Sequence, residues 1–272
     1  MIIIDRNVIS SCKKLIRNEK IDTYRKQQLR KLNHHKNKID PMFAFLEGSK
    51  GINESLIENK KTIENEIQIV KRFFNRSFVN DSFILNEIDE IVKANWDVIN
   101  YEESKNEMVF IEKLHKILYQ PIKREKKEAI KENIFKIASE NNVAIGSLIV
   151  YCALGVLYGN NKLRKIFKFT NSKTSDEVKK LSYNSHNDIK NMVRVCQYIL
   201  ELKKMKDESI VKYITFDEGL NYLYGFLENA MIKEKKINCE DYTNITFYVN
   251  GFFPDLTNKE VVKLGKEILS KT

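Results

Sequence analysis

The chain has 272 residues, of which 42% are hydrophobic and 31% are charged. This composition supports a sizeable buried core, which excludes disorder along the whole length. Only nine Gly and three Pro residues are present, and this argues against an all-β sandwich because that fold needs a turn about every ten residues. The formal charge is +10, and its densest part runs from Arg6 to Lys38, with eleven basic and two acidic residues. Such a segment is typical of a surface that binds phosphate groups, or of a solvated helical face.

The cysteines and the apolar segments indicate the cellular compartment and argue against some kinds of site. The four cysteines form no Cys-x-x-Cys pair, and the four histidines are not clustered with them, so neither a zinc site nor a disulfide framework is expected. The first residues are not those of a secretory signal, and we expect a cytoplasmic protein. Residues 143–159 carry no charge, but this segment is shorter than the roughly 20 residues of a membrane span. It predicts a buried core helix and no membrane association.

The pattern along the chain predicts strands near both ends and helices between them. Residues 2–5 are an apolar run that ends in an acid, typical of a buried parallel strand. Helical patterns follow over 7–38, and Asp40-Pro41 predicts the start of a short helix that ends at the glycines of 48–51. The remaining predicted elements are helices over 53–140 and 181–205, a strand over 210–216, a helix over 218–234, a strand over 245–249 and a helix over 259–270. This order predicts an α/β fold with a mostly parallel sheet.

Two of the predicted strands end in an aspartate, Asp5 and Asp217. The carboxyl ends of parallel strands line the ligand crevice of an open sheet. If the strands are neighbours, the two carboxylates repel each other unless a cation lies between them, and oxygen ligands suit Mg²⁺ or Mn²⁺. The alternative is that each aspartate only caps the helix that follows it.

The residues around both aspartates resemble a known family. Asp5-Arg6-Asn7-Val8-Ile9, after an N-terminal strand, is similar to the first motif of PIN-domain nucleases, and residues 214–220 (Ile-Thr-Phe-Asp-Glu-Gly-Leu) resemble that family's late motif. The resemblance implies a PIN-like α/β/α sandwich formed by residues 1–52 and 161–272, with residues 53–160 as a helical insertion or cap. The sequence departs from the family at Arg6, where a small hydroxyl residue is usual, and in its helical middle.

The resemblance also implies a site and an activity. Two further acids, Glu47 and Asp188, are expected to join Asp5 and Asp217 in holding one or two Mg²⁺ or Mn²⁺ ions. The implied reaction is endonucleolytic hydrolysis of RNA, and a toxin or defence role is one setting for it. Asn7, Asn184 and Thr215 are expected to orient the carboxylates, and Arg6, Arg25, Arg30 and Lys31 to contact the RNA backbone.

Other interpretations of the same residues stay open. One is a PIN-like module that binds nucleic acid or a protein without cleaving, since a fold does not guarantee chemistry. Another is a mostly helical interaction protein in which Asp5 and Asp217 are caps. A nuclease based on His186 or His115 is weaker, because single helical histidines are usually structural. An inhibitory or controlling protein partner and a homo-oligomer are both compatible with the sequence.

Overall fold

The computed structural model describes residues 1–46, 55–93, 101–204, 210–234 and 251–271. The chain forms two compact units, and both are discontinuous in sequence. The first comprises residues 1–99 and 198–217, and the second comprises residues 100–197 and 218–272. These boundaries differ from residues 52 and 160, where the sequence predicted the domain division, and that division stays a prediction.

A small parallel sheet is the framework of the first unit. The strand order is β3-β2-β1-β4, and every pair is parallel. The strands are β1 (Ile2–Ile4), β2 (Lys38–Asp40), β3 (Phe78–Val79) and β4 (Lys212–Ile214), and the helices of this unit are α1 (Arg6–Ile16), α2 (Thr23–Leu32), α3 (Met42–Leu46), α4 (Leu56–Phe73) and α5 (Asp81–Asn86). The chain as described is mostly helical, and the predicted α/β class is confirmed, whereas a PIN-like sandwich stays a prediction.

The two faces of this sheet differ in chemistry. Ile2, Ile4 and Ile39 point to one face and join a hydrophobic core that also includes side chains of α1 and α4. Because successive side chains of a strand alternate, Ile3 points the other way. Its register partners are Asp40 on one side and Tyr213 on the other, and all three residues are buried. The second face therefore carries buried polar groups.

Strands β1 and β4 fall where the sequence predicted them, but β2 and β3 were not predicted. Residues 7–38 were expected to be helical, yet Lys38 begins β2. Strands of two or three residues are too short to show a period-2 pattern, which explains the miss. The predicted helix start at Asp40-Pro41 is confirmed by α3. The glycine stop at 48–51 and the predicted strand over 245–249 lie outside the described residues.

The described part of the second unit contains helices and turns but no strand, and residues 198–204 at the end of its longest helix belong to the first unit. Its helices are α6 (Glu102–Leu118), a 3₁₀ turn (Arg124–Lys126), α7 (Lys127–Glu140), α8 (Leu148–Leu157), α9 (Asn161–Phe167), α10 (Ser175–Lys204), α11 (Glu218–Glu234) and α12 (Asn258–Lys271). Every residue of α8 is buried, so the uncharged segment is a core helix as predicted. Within the described ranges, we find no helix with the length and apolar character needed to cross a bilayer.

Candidate functional site

Polar side chains follow all four strands of the sheet at their carboxyl ends. Asp5 follows β1, Asp40 ends β2, Asn80 follows β3, and Thr215 follows β4. The register pairs Ile3 with Asp40 and with Tyr213, so Asp5 and Thr215, each two residues further on, project to the same face as Asp40. The sheet thus carries a polar row at the edge where parallel α/β sheets bind ligands.

Asp5 is buried, with 1% of its surface exposed, and it caps α1. Its Oδ1 accepts hydrogen bonds from the backbone N–H of Asn7 at 2.6 Å and of Val8 at 3.3 Å. Its Oδ2 accepts from Asn7 Nδ2 at 2.6 Å and from the Tyr213 hydroxyl at 3.4 Å. Asp5 therefore caps the N-terminus of α1, as the alternative interpretation of this residue predicted.

Asn7 and Thr215 connect Asp5 to the end of β4. Asn7 Nδ2 donates to Thr215 Oγ1 at 3.0 Å, and Asn7 Oδ1 accepts from the backbone N–H of Phe216 at 2.7 Å. Thr215 Oγ1 also accepts from the backbone N–H of Asp217 at 3.0 Å. The turn that carries Asp217 is thus held against the first residues of α1. Asn7 and Thr215 are two of the three residues predicted to orient the carboxylates, and they make these contacts within the first unit.

The electrostatics of Asp5 reflect burial and a neighbouring charge. Burial raises the pKa of Asp5 to about 6, against hydrogen bonds from Thr215, Asn7 and Val8 that lower it, and the charge of Asp217 raises it further. Asp217 is half-buried. Two of the four predicted carboxylates are therefore close enough to influence each other, as the sequence predicted for neighbouring strands.

Asp40 is an acidic residue of the same edge that sequence reasoning did not select as a ligand. It is 1% exposed, and its carboxylate accepts from Met42 N at 3.0 Å and from Asn80 Nδ2 at 3.3 Å. Burial raises its pKa, and its charge in turn raises the pKa of Tyr198, which burial has already raised. From strand geometry, the Cα atoms of Asp40 and Asp5 are about 8 Å apart. The signal was present, since Lys38-Ile39-Asp40 is a third short strand ending in an aspartate.

Neither of the other two predicted acids is among the described residues of the first unit. Glu47 lies outside the described residues. Asp188 and Asn184 are half-buried residues of α10 within the second unit, whereas Asp5 and Asp217 belong to the first. Both residues of α10 stay predictions as members of the site.

The four residues predicted to contact nucleic acid differ in their ion pairs and in their exposure to solvent. Arg6 forms an ion pair with Glu66 at 3.0 Å and contacts the carbonyl of Ala44. Arg25 forms an ion pair with Asp22 and lies over the ring of Phe216, 5.5 Å from its centre. Arg30 and Lys31 at the end of α2 are exposed. The basic surface of α2 therefore reaches, through Arg25, the residue beside Asp217.

The described residues contain one group of three acids with the spacing of a metal site, and it lies in the second unit. Glu128, Glu132 and Glu267 place carboxylate oxygens within 4.8 Å of one another. The ammonium of Lys131 occupies their centre, at 2.7 Å from Glu128, 3.4 Å from Glu132 and 2.6 Å from Glu267. These contacts raise the pKa of Lys131 in spite of its burial, so the lysine stays charged. A charged ammonium leaves no place for a divalent cation at this cluster.

The histidines of the second unit are enclosed. His186 Nε2 lies 2.9 Å from the Glu107 carboxylate, which also binds Lys190 at 2.9 Å, and both His186 and Glu107 are at most 2% exposed. Burial raises the pKa of Glu107, but the hydrogen bonds and charges of His186 and Lys190 lower it more. His115 is also buried, and its Nδ1 accepts from Thr170 N at 3.2 Å. Groups this enclosed suit stability rather than contact with a substrate.

Comparison of the chain with protein-family models, with curated proteins and with solved structures gave no match. The function is therefore inferred from the geometry within each of the two units.

Proposed function

We propose that this chain is a metal-dependent nuclease that hydrolyses RNA phosphodiester bonds, with Asp5 and Asp217 as metal-binding carboxylates in a PIN-like α/β arrangement. The observation that carries the proposal is the position of Asp5. A buried carboxylate stands at the carboxyl edge of a parallel sheet, and besides burial the charge of Asp217 raises its pKa. Two carboxylates in this relation repel each other, and a cation between them would remove that cost.

The donor set fits Mg²⁺ or Mn²⁺, which prefer carboxylate oxygens. When bound, such an ion would supply an activated water for in-line attack and would neutralise charge on the leaving oxygen. Asn7 orients the Asp5 carboxylate through two hydrogen bonds, one from its backbone N–H and one from its amide. Thr215 fixes the backbone of Asp217. Asp40 is a third acid of the same edge, and Glu47 and Asp188 stay in the proposal as predicted ligands.

The basic residues of the first unit supply the attraction that an acidic site needs for RNA. Carboxylates repel the phosphate backbone, so affinity must come from cations beside them. Arg25 lies against Phe216, and Arg30 and Lys31 are exposed on the same helix. A protein partner, self-association and the cytoplasmic location stay predictions.

A second candidate is a module of the same fold that binds nucleic acid without cleaving it. One observation favours it. Each oxygen of Asp5 already accepts two hydrogen bonds, and a carboxylate offers about four acceptor positions. Direct metal coordination by Asp5 would require at least the long contact from Tyr213 to give way.

Cleavage of a labelled single-stranded RNA, with Mg²⁺ or Mn²⁺ and with EDTA, separates the two candidates. The nuclease proposal predicts metal-dependent products from the wild type and a loss of at least about a hundredfold in rate in Asp5→Asn. Asp89→Asn, an exposed acid of the same unit paired with Lys60, is the matched control and should keep full activity. RNA binding without products would support the second candidate. Equal cleavage by wild type and Asp5→Asn would refute the proposed mechanism.

A further inference from the structure

A second place in the molecule has the form of a ligand site. The second unit contains a cavity of about 390 Å³ between the 3₁₀ turn with α7, helix α12 and residues 255–256, with Tyr158 in its wall. Small-molecule sites have volumes of roughly 300–1,000 Å³. The cavity is therefore large enough for a small organic molecule.

The walls of the cavity are held in place by bonds within the protein. Asp255 N donates to the carbonyl of Tyr158 at 3.0 Å, and the Asp255 carboxylate is paired with Lys127. Gly159 has φ +91°, and a Cβ there would stand 2.5 Å from Asp255 Oδ2, so only glycine permits this approach. At the other side, Lys131 is fixed by its carboxylates. The cavity is preformed.

The acidic groups that line the cavity already have partners. Glu128 and Glu267 hold Lys131, and Asp255 holds Lys127. Glu260 accepts from the Thr257 backbone N–H at 2.7 Å and from its hydroxyl at 2.8 Å. These carboxylates are engaged in stabilising the walls, so a cationic ligand would have to displace an internal cation.

Three hydrogen-bond donors of the cavity, in contrast, have weak partners or none among the described residues. Lys263 makes no ion pair within the described ranges, and the nearest acid to Arg124 is Glu260 at 3.8 Å, with the arginine side chain 87% exposed. Tyr158 is 6% exposed, and its hydroxyl has no hydrogen-bond partner among the residues that the structure describes. Burial raises the pKa of Tyr158 to about 12, so the hydroxyl remains a donor at physiological pH.

We propose that this cavity binds a small organic anion, whose phosphate or carboxylate group accepts hydrogen bonds from Arg124, Lys263 and Tyr158. Charge-assisted hydrogen bonds of this kind are the strong ones. Leu256 and Leu264 line the same cavity and provide contact for the apolar part of the ligand. None of the residues that line this cavity belongs to the proposed nuclease centre, so the two proposals can fail separately.

The test is the binding of two probe anions to the full-length protein. Binding of inorganic phosphate and of citrate is measured separately by isothermal titration calorimetry, and titration with KCl of equal ionic strength gives the baseline. We expect saturable binding of at least one probe, and the probe that binds identifies the group. Lys263→Gln should weaken binding at least about tenfold, and Tyr158→Phe about fivefold.

Lys266→Gln is the matched control, because this exposed lysine is on the same helix but does not line the cavity. It should bind as the wild type does. Binding of neither probe above the KCl baseline would overturn the proposal, as would an equal loss in Lys263→Gln and Lys266→Gln, which indicates attraction by net charge alone. If Lys263→Gln is poorly folded by circular dichroism, Arg124→Gln replaces it with the same expectations.

Discussion

The side chain of Asn7 donates a hydrogen bond to the hydroxyl of Thr215 at 3.0 Å, across 208 residues of sequence. The same amide donates to Asp5, and its oxygen accepts from the backbone of Phe216. One side chain therefore joins the end of β1, the first turn of α1 and the end of β4. This link fixes the position of Asp217 relative to Asp5, on which the proposed chemistry depends.

Asn7→Ala should destabilise the first unit by about 3 kcal/mol, because it leaves the backbone N–H of Phe216 without its partner and removes a hydrogen bond from Asp5 and from Thr215. Urea denaturation followed by circular dichroism measures the change. Asn86→Ala, an exposed position in the same unit, should cost no more than about 0.5 kcal/mol. Similar losses in both variants would mean that the Asn7 network contributes little.

Asp217→Asn should raise the thermal stability of the metal-free protein at neutral pH. The pKa of Asp5 in the folded protein is about 6, above its ordinary value of 3.8. Between about pH 4 and pH 6 the native state therefore binds more protons than the unfolded state, and the stability of the protein falls as the pH rises through this range. Removing the charge of Asp217 lowers the pKa of Asp5 and recovers part of that loss.

The expected gain is about 0.5 kcal/mol, or roughly 1 °C in the melting temperature at pH 7, and none at pH 3. Scans in EDTA at both values measure it, with Asp89→Asn as the control. A lower melting temperature for Asp217→Asn at pH 7 would show that Asp217 stabilises the fold and is not held against repulsion.

The sequence predicted two of the strand ends that form the site, but not every acid at the carboxyl edge of the sheet. Asp5 and Asp217 were predictable because each ends an apolar run, and Asn7 and Thr215 because they stand beside them. Asp40 was interpreted only as the start of a helix, since its strand has three residues and no visible period. The charged cavity was not predictable either, because pairs such as Lys131 with Glu267 join residues 136 positions apart and leave no local pattern.

Glu107→Gln should destabilise the second unit by about 3 kcal/mol, because it removes a carboxylate that is buried with His186 and that also holds Lys190. Glu103 offers a matched comparison on the same helix. It also faces Lys190, but at 3.7 Å and with 60% of its side chain exposed, so Glu103→Gln should cost no more than about 0.5 kcal/mol. Guanidinium titration of both variants provides the comparison, and equal effects would contradict a structural role for the buried pair.

Acid should destabilise the second unit through His115. Burial lowers the pKa of His115 below its ordinary value of 6.5. The unfolded state therefore binds a proton more readily, so the stability from neutral His115 is complete above about pH 6.5 and is lost as pH falls below it. His115→Gln should flatten the dependence of unfolding free energy on pH between about 5 and 7, and an unchanged slope would exclude His115 as its cause.

The most direct test of the proposed site is Mn²⁺ binding followed by electron paramagnetic resonance. Titration of the free Mn²⁺ signal with the wild type, Asp217→Asn and Asp89→Asn asks whether the carboxylates of Asp5 and Asp217 hold a cation together. We predict that the wild type and Asp89→Asn bind Mn²⁺ equally, and that Asp217→Asn binds it at least about tenfold more weakly. Equal binding by all three proteins, or no binding by the wild type, would contradict a metal centre at the end of β1 and β4.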